Sequence, residues 1–239
     1  MSEQIGATRH FAAFEATWPS ARQAPCGPFI WRDGAGGGRR VSAATLEGVF
    51  SETDLDRIES RFAAAGRTPL FQVRQGQDAF DRVLERRGYR IGDPSLCLAA
   101  DLAILPDADP EAGFACWPPI AVQREIWEAG GIDAARLGVM ERVEGPKTAL
   151  LARHEERPCG AAFVAVAQHI AVVHALEVPQ AERRRGIARR LVASAAHWAR
   201  GAGARTLALQ VTAENAAARA LYSSLGMHEV GRYHYRTKI

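Results

Sequence analysis

The stretch Glu177–Trp198, EVPQAERRRGIARRLVASAAHW, crowds Arg183, Arg184, Arg185, Arg189 and Arg190 around Gly186. Like charges repel, so the cluster costs free energy unless solvent screens it or an anion sits beside it. An apolar run ends just before it and a helical pattern begins at the glycine, which marks a strand-to-helix junction. The first N–H groups of a helix have no intrahelical partners and lie at the positive end of its dipole. A phosphate or pyrophosphate can accept several of them together. Gly186 and Ala188 are small enough for a bulky anion to approach the main chain, and Arg183 and Arg184 add long-range attraction. A solvated arginine flank is the plainer alternative. The preceding apolar strand and the two small residues tip the balance toward an anion.

Two further sets of residues bear on chemistry. Asn215, Ala218 and Tyr222 recur at i, i+3 and i+7, so they share one helix face. A tyrosine with an ordinary pKa near 10 can protonate a leaving group of comparable basicity; its plainer role is a half-buried packing aromatic. A proton acceptor beside this turn would come from the titratable groups on the strand before it, His174 and Glu177. Three residues apart, they face opposite sides of an extended strand, so only one looks into a cleft. Glu177, beside the turn, is preferred, since a lone histidine in an apolar strand is usually a hydrogen-bonded core residue. Gln210, in the following strand, cannot act as a base.

Alternation and helical spacing give the elements that must hold these residues. Thr148–Arg153, Cys159–Ala167 and His169–Val178 read as three strands, with HEERP as a polar turn between the first two. A helix follows from about Gly186 to Arg200, with Ile187, Leu191, Ala195 and Trp198 on one side. Arg205–Val211 is a strand, Asn215–Leu225 a helix stopped by Gly226, and the tail two short strands. Upstream, Ile120–Val143 supplies one or two helices. The order predicted for this lobe is α, α, β, β, β, α, β, α, β.

The chain has 239 residues, 47% hydrophobic and 24% charged, with a formal net charge of +3. That balance is ordinary for a globular protein with a real core and gives no general case for nucleic-acid or membrane binding. Cys26, Cys97, Cys116 and Cys159 form no CxxC pair and read as reduced thiols or small core residues; no metal site is expected. No signal-peptide profile or long apolar run occurs, so the expectation is a cytoplasmic soluble protein. The proline- and acid-rich segment Ile104–Pro119 suggests a linker, giving lobes at 1–105 and 119–239 around residues 106–118.

The first lobe echoes the second. Sliding Gly66–Gly88 onto Ala204–Gly226 without a gap aligns Arg67, Thr68, Gln72, Val73, Ala79 and Gly88 with identical residue types. This favours a degenerate internal duplication. The same offset sets Thr45, Gly48 and Phe50 opposite Arg183, Gly186 and Ala188, and Leu84 opposite Tyr222. The glycine run RDGAGGGRR (Arg32–Arg40) lacks a phosphate-loop pattern and reads as a hairpin loop.

Arg183-x-x-Gly186-x-Ala188 resembles the acetyl-CoA-binding motif [Q/R]-x-x-G-x-[G/A] of the GNAT acyltransferase superfamily. Asn215-x-x-Ala218-x-x-Leu221-Tyr222-x-x-x-Gly226-Met227 is similar to that family's downstream helix, and the element order fits as well. The resemblance covers about Phe114 to Ile239. It implies the GNAT acyl-CoA N-acyltransferase fold, a mixed and mostly antiparallel sheet flanked by helices, here as tandem lobes. It also implies acetyl-CoA as cosubstrate and direct attack by an amine in a ternary complex. Leu176 and Val178 would offer backbone groups to the pantetheine arm. The turn through Arg183, Arg184, Arg185, Gly186, Ile187, Ala188 and Arg189 would hold the pyrophosphate. Asn215 and Ala218 would face the thioester, with Tyr222 the general acid and Glu177 the preferred base, His174, a water chain or an amine already neutral being the other routes for the amine proton. The first lobe, lacking the arginine and the tyrosine, is expected not to bind acetyl-CoA. It would pack on the active lobe, cover a sheet edge and wall the acceptor site.

The acceptor stays open among polyamines, amino acids, aminoglycosides and peptide N-termini, with Trp127, Arg136, Glu141, Tyr233 and Tyr235 as candidate lining. A non-catalytic acyl-CoA sensor of the same fold is the main alternative. A nucleic-acid patch is disfavoured because the arginines lack interleaved aromatics. No membrane partner is expected, and the chain is read as a monomer or homodimer.

Overall fold

The computed structural model describes residues 2–109, 113–155 and 157–238. Residues 110–112 of the expected linker and residue 156 of the expected polar turn lie outside the described residues. The first lobe runs α1 (Ser2–Thr17), β1 (Arg22–Cys26), β2 (Phe29–Asp33), β3 (Ala44–Leu46), α2 (Glu52–Ala64), β4 (Leu70–Arg74), α3 (Asp78–Arg86) and β5 (Arg90–Asp101). The second runs β6 (Gly113–Cys116), α4 (Ala121–Ala129), α5 (Ala134–Glu141), β7 (Lys147–His154), β8 (Arg157–Ala167), β9 (Ile170–Glu177), α6 (Ile187–Gly201), β10 (Thr206–Thr212), α7 (Ala216–Ser224) and β11 (His228–Thr237).

From α4 to β11 the order is the one predicted, with two differences. The expected pair of tail strands is a single strand, β11, whose ladder with β5 is irregular on either side of Gly231–Tyr233. The proline-rich segment holds β6, which pairs antiparallel with β7. Its prolines flank the strand instead of interrupting it, so the ladder keeps its donors.

The described strands form one sheet in the order β1-β2-β3-β4-β11-β5-β10-β9-β8-β7-β6. Only β3/β4 and β9/β10 are parallel, each pair joined by a crossover helix, α2 or α6. The internal echo is real in space: the same offset carries α3 (Asp78–Arg86) onto α7 (Ala216–Ser224) and β4 onto β10. The first lobe does not cover a sheet edge as expected. The lobes exchange their last strands, so that β5 lies between β10 and β11, and β11 lies between β5 and β4. Arg236 of β11 clasps Asp81 of α3 through two hydrogen bonds of 2.7 and 2.9 Å while only 3% exposed. The carboxylate is held below its usual pKa, chiefly by that contact.

Helices cover both faces. Ile187, Leu191, Val192 and Ala195 of α6 pack on Ala162, Val164, Val173 and Leu209. Each large aliphatic side chain buried this way contributes roughly 1.5–3 kcal/mol. The opposite face carries α4 and α5 over Ala161, Phe163 and Ala165, and α1 over Val172, Ala208, Tyr233 and Tyr235. Among the described residues no helix is long and apolar enough to cross a membrane.

Candidate active site

The turn between β9 and α6 is open where a helix is normally capped. The chain leaves β9 at Glu177, makes one 3-10 turn at Gln180–Glu182, and enters α6 at Ile187. Gly186 is the N-cap, left-handed at φ 76°, and no side chain caps the helix. Among the described residues no acceptor is paired with the N–H groups of residues 184–189. A Cβ added to Gly186 would meet nothing within 4 Å among the described residues, so the main chain is open to approach there. Packing fixes the helix start instead: Ile187 is buried against Gly160, where an added Cβ would come within 3.0 Å of it. Arg183 is drawn back along β9, its Nε donating to the Val178 carbonyl at 2.9 Å and its Nη2 lying 3.5 Å from Glu177. Arg184 is exposed, Arg185 pairs with Glu182, and Arg189 reaches Ser224 of α7.

Beside this turn the sheet parts. The β9/β10 ladder runs from Ile170↔Thr206 to Val173↔Leu209 and stops there. Beyond it β9 continues to Glu177 on β8, and β10 to Thr212 on β5. The gap is lined on one side by His174–Glu177, with Leu176 and Val178 past the last paired rung, and on the other by Gln210–Thr212. A bulge at Ala175 (φ 48°) bends β9 away, and the buried indole of Trp127 on α4 donates to the freed Ala175 carbonyl at 2.8 Å. Trp127 therefore shapes the gap from beneath and does not line a pocket.

The bulge also corrects the expected facing of His174 and Glu177. The register pairs His174 with Phe163 and Glu177 with Ala161. Phe163 and Ala161 are two apart and share a face, so their partners share it too. Glu177 lies along α4, close against Gly130, where an added Cβ would come within 2.6 Å of its carboxyl carbon.

Helix α7 follows β10, the strand on the far side of the gap. Asn215 is its N-cap, accepting from the Ala218 N–H at 3.0 Å, so its carbonyl oxygen serves the helix itself. Tyr222 is 8% exposed and shares the core with Val178, Ile187 and Val211. Burial pushes its phenol up to about 12, which keeps it protonated at neutral pH.

The first lobe contributes side chains that the sequence did not single out. Thr17 ends α1, and its hydroxyl donates to Ala13 at 2.7 Å and meets His174 Nε2 at 2.9 Å. With that hydroxyl proton committed, Nε2 carries the imidazole proton, and Nδ1 accepts from Arg40 at 3.2 Å. The same Arg40 nitrogen donates to Gln210 Oε1 at 3.1 Å. Trp18 stacks on His174 at 4.9 Å and lies under the Arg40 guanidinium at 5.1 Å. His174 is thus neutral, with both ring nitrogens engaged, and is no base. Burial first, then Arg40, holds its pKa well below the usual 6.5. The unfolded chain therefore binds a proton that the native state refuses, so this stabilisation is intact above pH 6.5 and fades as pH falls toward the lowered value. His174→Gln should flatten the decline in thermal stability below pH 6.5, by up to about 1.4 kcal/mol per pH unit. Melting curves across pH 4.5–7.5 in both proteins check this.

A cavity of about 600 Å³ opens on this side of the gap, with Ala175 and Gln210 at its floor and Arg40, Arg136, Tyr233 and Tyr235 around it. Glu141, at the far end of α5, does not reach it. The glycine run forms the β2–β3 hairpin loop as expected, and its glycines allow close docking on α5. A Cβ on Gly37 would come within 2.5 Å of Val139, and one on Gly36 within 3.1 Å of Ala135.

Residues 108–227, half of the chain, match the model of the Acetyltransferase (GNAT) family. The chain belongs to the GNAT acetyltransferase family. No match is found among curated proteins. Its fold is that of a GCN5-related N-acetyltransferase from Kribbella flavida, with TM-score 0.73, 21% identity, and coverage of 100% of this chain and 95% of that one. A tandem GNAT protein from the clavulanic acid biosynthesis pathway is also similar, at TM-score 0.64 and 14% identity over 98% and 86% of the two chains. A GCN5-related N-acetyltransferase from Sphaerobacter thermophilus gives 0.60 and 18% over 84% and 74%.

Within this GNAT architecture the two lobes differ where α2 and α6 begin. Between β3 and α2 the chain has residues 47–51, against 178–186 between β9 and α6. The gapless correspondence therefore breaks at this turn: Thr45 lies inside β3, paired with Gln72, and is no counterpart of Arg183. The start of α2 is also filled by its own side chains. Ser51 accepts from the Asp54 N–H, while the Asp54 carboxylate accepts from the Ser51 N–H. Leu84, in place of Tyr222, is fully buried.

Proposed function

We propose that this GNAT protein transfers an acetyl group from acetyl-CoA to a primary amine of a small molecule or peptide N-terminus, in a ternary complex. The observation that carries this reading is the uncapped start of α6 at Gly186, with open space before it and the parted strands β9 and β10 beside it. A diphosphate fits unpaired N–H donors at a helix start, and an extended thiol arm fits the stretch of β9 around Leu176 and Val178, past the last rung shared with β10. When bound, acetyl-CoA supplies a thioester whose C–S bond breaks as the amine forms a C–N bond. Residues of the chain do the rest. Arg183, Arg184, Arg185 and Arg189 attract the anion, and the N–H groups of Arg184 through Arg189, Gly186, Ile187 and Ala188 among them, hold it. Asn215 and Ala218 fix the start of α7 so that Tyr222 faces the cleft and gives its proton to the departing thiolate. Glu177, the carboxylate at the end of β9, takes the amine proton. The first lobe binds no cosubstrate, since Asp54 already occupies the start of α2, and it walls the acceptor side.

Calorimetry with coenzyme A and acetyl-CoA, followed by thiol release with a panel of amines, tests this. Binding with turnover of at least one amine is expected. A sensor of the same fold would bind and turn over none, and absence of heat with either coenzyme form would overturn the reading.

A further inference from the structure

The cavity beside the gap has a positively charged lining. Arg39, Arg40 and Arg136 line it, and the one carboxylate among the described lining residues, Asp93, is already paired with Arg39 at 2.7 Å. Among the described residues Arg40 and Arg136 have only neutral partners. Arg40 donates to Gln210 and to the uncharged His174 and lies over Trp18. Arg136 donates to the Gly131 carbonyl at 2.8 Å, with its guanidinium beside Gly38. Both charges are held in place and uncompensated at the mouth of the gap. Arg40 uses one terminal nitrogen for its protein contacts; among the described residues its Nη2 and Nε have no partner, which leaves two parallel donors.

We infer that the amine acceptor carries a carboxylate close to its amino group, as a free amino acid does, and that Arg40 and Arg136 bind that carboxylate. This deepens the acetyltransferase reading and rests on it. A planar guanidinium matches a carboxylate with two parallel hydrogen bonds. Arg40 also touches Gln210 and His174, which flank the gap, so an anion on it places an amine one or two atoms away at the gap itself. A polycation would meet two unneutralised arginines there and be repelled. The identity of residue 210 fits this: a glutamate would neutralise Arg40, whereas glutamine accepts its hydrogen bond and leaves the charge for the ligand. The same positive field favours the neutral over the ammonium form of the acceptor, so little is asked of Glu177. A volume of about 600 Å³ lies within the usual range for a small-molecule site.

The test uses the full chain, acetyl-CoA and three sets of acceptors: free amino acids, their amides and methyl esters, and polyamines. At least one free acid should be acetylated with kcat/KM about 100-fold above its own amide or ester. Arg40→Gln and Arg136→Gln should each lower kcat/KM for that acid by 10-fold or more, mainly through KM, while acetyl-CoA affinity by calorimetry stays within twofold. Gln210→Glu, which keeps the shape of the site, should do the same; this protects the test against misfolding of the arginine variants. Acetylation of amides and acids at equal rates, a preference for polyamines, or no turnover of any free acid would overturn the inference while leaving coenzyme binding intact. Loss of coenzyme binding in the unaltered protein would instead overturn the acetyltransferase reading.

Discussion

Gly186→Trp should abolish coenzyme A binding while leaving the protein folded. Gly186 is left-handed, and a side chain there costs roughly 1–2 kcal/mol of backbone strain. Among the described residues nothing lies within 4 Å of its Cβ position. An indole would fill that space and screen the N–H donors behind it. Charge-assisted hydrogen bonds contribute about 1.5–3 kcal/mol each, so losing two of them weakens binding by about 100-fold or more. Gly203, at the other end of α6, is the matched control: it is left-handed at φ 78° and its Cβ position is also open. Gly203→Trp should carry the same strain and bind coenzyme A normally. If the two variants bind alike, the diphosphate does not rest on this turn.

Tyr222→Phe should lower kcat by about 100-fold with the KM for acetyl-CoA nearly unchanged, since general acid catalysis is typically worth a factor of that order. The substitution keeps the buried ring in the core that also holds Val178, Ile187 and Val211, and removes only the hydroxyl. Thermal stability should therefore be close to that of the parent, which separates a catalytic loss from a structural one. Because burial lifts the phenol to about 12, the parent kcat should show no alkaline limb from this group below roughly pH 10. Equal turnover in the two proteins would remove Tyr222 from the mechanism.

Local signals carried much of this site. The arginine–glycine turn, the strand before it and the helix bearing Tyr222 all depend on neighbours within a few residues, and period and composition reveal such units. The echo between α3 and α7 was legible for the same reason. Four features were not. The bulge at Ala175 is made tolerable by an indole 48 positions away, so an unbroken strand put His174 and Glu177 on the wrong relative faces. Arg40 meets His174 across 134 positions and Gln210 across 170, and nothing in the run RDGAGGGRR says that its glycines dock on α5. Helix α1 escaped notice, although Phe11, Phe14 and Trp18 recur at helical intervals and are buried. Strand exchange is also invisible to periodicity, because β5 and β11 look the same whichever lobe they pair with.

That exchange has a bearing on how the molecule is made. A ribosome delivers β4 and β5 early, yet their shared neighbour, β11, emerges more than a hundred residues later. Until then the nascent first lobe keeps two bare ladder edges where its sheet will be most central, a state prone to mispairing with other chains. Contacts such as Asp81–Arg236, spanning 155 positions, mean slow closure for a protein of this size. A chain released before His228 would be unzipped through its middle, not frayed at its rim. Neither lobe matures alone.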